Sequence, residues 1–241
     1  MKYYRMLLKK PSRDFVRMSS HVLVGERSIQ CAHFSNAQPT VVFENGYCAG
    51  MSCMKYWDSA FLELSQTHSV FAYDRVDEVL AESEIEDIPQ HLEKTATLLR
   101  TLLESKGLHA PYILVGHSLG GLYMQYFAKK YPDEVASLVL VDAVYPSDKT
   151  HVNVIDTNID NIGQAVLQMP SFGELPMSIL SATKEEHKKE SCEKMQMIDE
   201  SISHQKAYAK LYPHATQIWV DSGHLIQYEK PEAIIKAVKC Y

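Results

Sequence analysis

Pro111-Tyr112-Ile113-Leu114-Val115-Gly116-His117-Ser118-Leu119-Gly120-Gly121 is the stretch on which the reading of this chain turns. Tyr112 to Val115 form an unbroken apolar run, as a strand buried on both faces requires. From Leu119 to residue 131 the pattern is helical, and Pro132 ends it. The chain must therefore turn sharply between strand and helix. Gly116 and Gly120 stand two residues either side of Ser118, leaving room for neighbouring backbone and holding the serine in a strained turn above the strand end.

Outward from this turn, short apolar runs alternate with helix-length segments. That alternation predicts a mostly parallel sheet with helices on both faces. Strands are expected at residues 40–45, 69–74, 112–116, 137–142, 178–181 and 216–220, and residues 21–25 and 28–35 read as an antiparallel hairpin about Gly25-Glu26-Arg27. The clearest helix covers residues 90–104, where Leu92, Ala96, Leu99 and Leu103 recur at helical spacing. Another is expected at residues 231–239, with Pro231 in its permitted first turn. The long interruption at residues 143–177 is dense in apolar residues, among them Ile155, Ile159, Ile162, Val166 and Phe172. Long connections in compact domains are usually functional, so 143–177 is the candidate lid or cap, with extra core at the sheet edge as the alternative reading. Residues 1–241 are read as one domain carrying this insertion.

With 46% hydrophobic and 22% charged residues, the composition excludes disordered and collagen-like classes. A net charge of −6 offers no general attraction for a phosphate backbone, so no nucleic-acid partner is expected. No stretch approaches the roughly 18 uncharged apolar residues of a membrane-spanning helix. Pro11-Ser12-Arg13 follow the basic start where a secretory signal would place its apolar run. A soluble, unprocessed, cytoplasmic protein is the expectation, with its 5 cysteines as reduced thiols because no C-x-x-C pair occurs.

A serine hydroxyl is a poor nucleophile at neutral pH and needs a base within hydrogen-bond reach. Of the 11 histidines, His224 in Asp221-Ser222-Gly223-His224 is best placed, after the last strand and before the last helix. His117 adjoins the serine, but its side chain is expected to point away from the site.

Phe43-Glu44-Asn45-Gly46-Tyr47, Ala72-Tyr73-Asp74-Arg75, the turn around Ser118, Tyr131-Pro132-Asp133-Glu134-Val135, Leu138-Val139-Leu140-Val141-Asp142 and Ser222-Gly223-His224 together resemble the α/β-hydrolase superfamily. The likeness is to its compact serine esterase, lipase and peptidase branch and covers nearly the whole chain. It implies the α/β-hydrolase fold with an eight-stranded, mostly parallel sheet, and an acyl-enzyme on Ser118 with His224 as base. It also implies an oxyanion hole from the backbone N–H groups of Leu119 and Tyr47, with no metal or cofactor. Two features depart from the family pattern. Residues 76–83 lack the usual glycines, and no Gly-x-x-Asp follows the seventh strand. The triad acid is therefore expected at Asp142, at the end of the preceding strand, with Glu186 and Glu185 in reserve; Glu185 with Lys189 reads equally as a solvated helix pair.

The expected substrate is a small-molecule carboxylic ester with a hydrophobic acyl group, which Tyr47, Met51, Met54 and Trp57 near the expected mouth would suit. A carrier-protein-bound ester is a variant of this reading, docking on Lys184, Lys188, Lys189 and Lys194. Open alternatives are a hydrolase-like binding protein or receptor without significant turnover, and a cofactor-free lyase or perhydrolase on the same triad.

Overall fold

The computed structural model describes residues 10–48, 51–75, 83–146, 154–183 and 192–241. Their strands are β1 (Ser19–Val24), β2 (Arg27–Phe34), β3 (Thr40–Glu44), β4 (Ser69–Tyr73), β5 (Tyr112–His117), β6 (Val135–Val141), β7 (Met177–Ala182) and β8 (Thr216–Val220). They form an 8-stranded sheet in the order β1-β2-β4-β3-β5-β6-β7-β8. β1 and β2 form an antiparallel hairpin and β2 meets β4 antiparallel, whereas every pairing from β4 through β3 to β8 is parallel. β3 and β5 lie side by side at the centre, so their C-terminal ends deliver Gly46 and Ser118 to the same place.

Around the sheet lie α1 (Arg13–Arg17), α2 (Asp58–Leu64), α3 (Ile88–Ser105), α4 (Leu119–Lys130), α5 (Val154–Gln168), α6 (Cys192–Leu211), α7 (Ile226–Glu229) and α8 (Pro231–Val238). Alternate side chains of a strand point to opposite faces, and β5 feeds both layers accordingly. Leu114 shares one buried cluster with Leu99 and Leu103 of α3, Met124 and Phe127 of α4, and Tyr208 of α6. Ile113 and Val115 share the opposite cluster with Phe61 of α2, Phe15 of α1 and Ile234 of α8. The continuous apolar strands expected from the sequence follow from this double cover. β8 differs, because as the last strand it leaves Thr216 and Trp219 exposed.

Within 143–177, α5 is an ordered helix whose Ile162 and Val166 are buried. Ile162 packs against Leu92 of α3 and Leu122 and Tyr123 of α4. Lys129 Nζ donates to the Val166 carbonyl at 2.9 Å, and buried Asn158 bonds Ile85 N–H and the Ser83 carbonyl. A Cβ on Gly163 would collide with the Pro146 carbonyl, which explains a glycine inside a helix despite its cost of about 1 kcal/mol. Among the described residues, no helix is long and apolar enough to cross a membrane.

Candidate active site

Ser118 sits between β5 and α4 with φ 51° and ψ −125°, a region that side-chain-bearing residues rarely occupy. Its backbone is bonded on both sides. Ser118 N–H donates to the Val141 carbonyl at 3.1 Å, and its own carbonyl accepts from Gly121 N–H at 2.9 Å and Val144 N–H at 3.1 Å. The flanking glycines admit the crossing chain: a Cβ on Gly116 would lie 2.7 Å from the Gly120 carbonyl oxygen, and one on Gly120 would strike the Asn45 carbonyl. Gly46, just past β3, approaches so closely that a Cβ there would stand 2.9 Å from Ser118 Cβ. Tyr47 is thereby brought beside the serine. Leu119 opens α4, and the first N–H groups of a helix have no intrahelical acceptor and lie at its positive end.

Asp142 follows β6 directly and also has a positive φ, 42°. Its N–H donates to the Leu180 carbonyl at 2.7 Å, and its Oδ1 accepts from Ala182 N–H at 3.0 Å, so β7 holds the carboxylate from two directions. Beyond it, Gln205 and Tyr208 of α6 donate to the Ala143 and Val144 carbonyls. The remaining oxygen, Oδ2, lies 2.7 Å from His224 Nδ1. A carboxylate accepts, so Nδ1 carries the proton and Nε2 is left bare, the form in which imidazole acts as a base. The His224 side chain is 53% exposed and that of Asp142 only 11%, so the acid is shielded while the imidazole faces solvent. Among the described residues no hydrogen bond joins the Ser118 hydroxyl to the His224 ring. Such contacts are often long in ligand-free sites and tighten once substrate is bound. Glu185 and Glu186, like Lys184, Lys188 and Lys189, lie outside the described residues, and nothing is described of the side chain of Lys194.

Several details differ from the sequence reading. His117 does not point away: its ring centre lies 4.5 Å from that of His224, and its Nε2 is 2.9 Å from the His224 carbonyl. A carbonyl only accepts, so Nε2 bears the proton and Nδ1 faces the Gly46 backbone. Burial, reinforced by the neighbouring His224, pushes the His117 pKa well below the ordinary histidine value and keeps the ring neutral. Met54 and Trp57 are core residues rather than lining of a mouth; Trp57 packs on Phe43 and donates its indole N–H to Asn45 Oδ1 at 2.8 Å. Met51 is half exposed and Tyr47 partly buried. The expectation of 5 reduced thiols fails at two of them, because Cys48 and Cys53, with Cα atoms 6.1 Å apart, form a disulfide.

Sequence reasoning also missed a buried polar cluster behind Gly46. Glu44, fully buried, accepts from the Tyr73 hydroxyl and pairs with the guanidinium of Arg75. Arg75 further donates to the carbonyls of Asn45 at 3.1 Å and Gly46 at 3.4 Å and lies over the Tyr123 ring. The only available signal was two opposite charges at the ends of neighbouring apolar strands.

A model of the alpha/beta hydrolase fold matches residues 39–174. The chain belongs to the alpha/beta hydrolase fold family. It is similar to the uncharacterised Bacillus subtilis protein YbdG, at 26% identity over 147 residues (60% of this chain and 43% of that protein). It also resembles lipase LipV of Mycobacterium tuberculosis, at 34% identity over 67 residues (28% of this chain and 25% of that protein). The chain thus spans less than half the length of either relative. Among solved structures it resembles the thioesterase domain of the curacin biosynthetic pathway (TM-score 0.62, 14% identity, 92% of this chain and 98% of that one). A putative lipase of Acinetobacter baumannii gives a TM-score of 0.59 at 18% identity, over 100% of this chain and 95% of that one. At these identities the likeness is one of fold.

Proposed function

We propose that this hydrolase-family protein is a serine esterase that cleaves a carboxylic ester with a hydrophobic acyl group. The observation that carries the reading is the Asp142–His224 hydrogen bond at the C-terminal ends of the strands, beside a serine held at positive φ. In the proposed reaction His224 Nε2 takes the Ser118 hydroxyl proton as Oγ attacks the ester carbonyl. The N–H groups of Leu119 and Tyr47 receive the developing oxyanion, a contribution of about 3 kcal/mol per donor. The imidazolium, steadied by Asp142, then passes its proton to the departing alkoxide. Water repeats the sequence on the acyl-enzyme, releasing an acid and an alcohol and restoring Ser118.

The preference for an apolar acyl group is supported by Tyr47 and Val144, apolar residues only partly buried at the edge of the core cluster of Leu92, Leu119, Leu122, Tyr123 and Ile162. α5, which contributes Ile162, is the proposed cover of the acyl chain. Hydrolysis of p-nitrophenyl esters from acetate to dodecanoate by wild type and Ser118→Ala tests both parts. Ser118→Ala should lose turnover and fluorophosphonate labelling with little change in Tm, and retained activity would sink the assignment. The wild-type optimum should lie beyond acetate; an optimum at acetate would refute the apolar acyl pocket.

A further inference from the structure

We infer that Arg75 is a positioning residue for the oxyanion hole, aiming the Tyr47 N–H by holding the carbonyl of the Gly46–Tyr47 peptide. The inference rests on the proposed role of Ser118 as nucleophile. A trans peptide is planar and its C=O and N–H point in opposite directions. A group that fixes the Gly46 oxygen therefore fixes where the Tyr47 N–H points. Arg75 reaches that oxygen at 3.4 Å from one guanidinium nitrogen, while its other terminal nitrogen serves the Asn45 carbonyl at 3.1 Å and the Glu44 carboxylate. The peptides on both sides of Gly46 are thus held by one planar group. Gly46 also approaches Ser118 so closely that an added Cβ would stand 2.9 Å from Ser118 Cβ, so the restrained segment lies directly against the proposed nucleophile.

The guanidinium is itself restrained. Its side chain is 3% exposed, its carbon lies 4.2 Å from the centre of the Tyr123 ring, and the Tyr123 hydroxyl bonds His91 Nε2 at 2.7 Å. Asp74, its chain neighbour, accepts from the N–H groups of Cys53 and Met54. Buried ion pairs are weak sources of stability, and this one sits where orientation matters most. A cationic donor on the Gly46 carbonyl also polarises the peptide and strengthens its N–H as a donor, as hydrogen bonds in series do. Lysine could neutralise Glu44 but lacks the planar fork that meets a carboxylate and two carbonyls together.

The test compares wild type, Arg75→Lys, and Glu44→Gln/Arg75→Met, the last removing both charges so that neither is left buried and unpaired. Competent sites are counted by fluorophosphonate titration. Turnover of p-nitrophenyl butyrate is then expressed per titrated site, so unfolded protein does not enter the result. The kcat per site should fall about 100-fold in the double variant, the low end for losing one oxyanion donor, and at least about 10-fold in Arg75→Lys. KM should change by less than about three-fold, because a transition-state contact is lost rather than ground-state binding. The midpoint of the pH–rate profile should stay in place, since Asp142 and His224 are untouched. Wild-type kcat per site in Arg75→Lys, or a change confined to Tm or KM, would overturn the inference and leave Arg75 a buried structural charge. If Ser118→Ala retains turnover in the same assay, the nucleophile assignment fails instead, and the two failures are read from different variants.

Discussion

The turn at Ser118 and the helix Val154–Gln168 both pack against α4, yet they are held by different forces. At the turn, backbone meets backbone at Gly116 and Gly120, a Cβ on Gly46 would crowd Ser118 Cβ and the His117 ring, and the serine bonds to chain on either side of Asp142. α5 is instead docked mainly by side chains, with Ile162 and Val166 buried and Asn158 and Lys129 as polar ties. Backbone crowding admits one geometry and almost one residue type. Side-chain docking admits many sequences of similar volume, which suits the proposed role of α5 as cover of the acyl chain.

The largest test of this contrast is the acid. If Asp142 belongs to the backbone-fixed region and orients His224, Asp142→Asn should lower kcat about 10³- to 10⁴-fold, the scale seen when an imidazole is left in the wrong tautomer. Glu185→Gln and Glu186→Gln should stay within about two-fold of wild type. A larger loss at either glutamate than at Asp142 would move the acid into residues 184–191 and break the comparison. Steady-state kinetics per titrated serine decides it.

Next in size are two glycine substitutions. A methyl on Gly120 meets the Asn45 and Glu44 carbonyls, backbone that cannot rotate away, so Gly120→Ala should cost about 3 kcal/mol or more. Gly173, in the connection after α5, has φ +63° but nothing within 4 Å of an added Cβ. Gly173→Ala should therefore cost only the left-handed strain, about 1 kcal/mol. Urea unfolding of both variants checks the pair, and equal losses would show that the turn is no more constrained than the outer layer.

The same contrast separates what could be read in the sequence from what could not. The strands β3 to β7 were legible because burial on both faces demands unbroken apolar runs, and the turn was legible because close backbone approach demands glycine at set spacing. α5 was not, because Asn158, Asp160 and Gly163 are poor helix formers and packing overrides them. Arg75 and His117 escaped for another reason: their partners at the Gly46 carbonyl and the His224 carbonyl lie 29 and 107 residues away along the chain. Trp57 was misassigned because an aromatic near a site can equally fill the core beneath it.

His117 offers the smallest effect, and its sign is fixed by linkage. Burial keeps the folded ring neutral well below the ordinary histidine value of 6.5, whereas the unfolded chain takes up a proton near that value. Below pH 6.5 the unfolded state therefore binds one proton more than the folded state at this residue, and stability falls as pH falls. One such proton is worth about 1.4 kcal/mol per pH unit. His33 and His68 are shifted in the same direction by burial and contribute equally to wild type and variant, so they cancel in the difference. His117→Gln can still present an N–H toward the His224 carbonyl but cannot titrate. Its unfolding free energy should then decline less steeply than that of wild type between pH 6.5 and 5, by about 1 kcal/mol per pH unit, in urea titrations at matched ionic strength. Parallel curves would mean that His117 accepts its proton in the folded state, and that the link between Ser118 and the His224 loop is looser than the buried geometry implies.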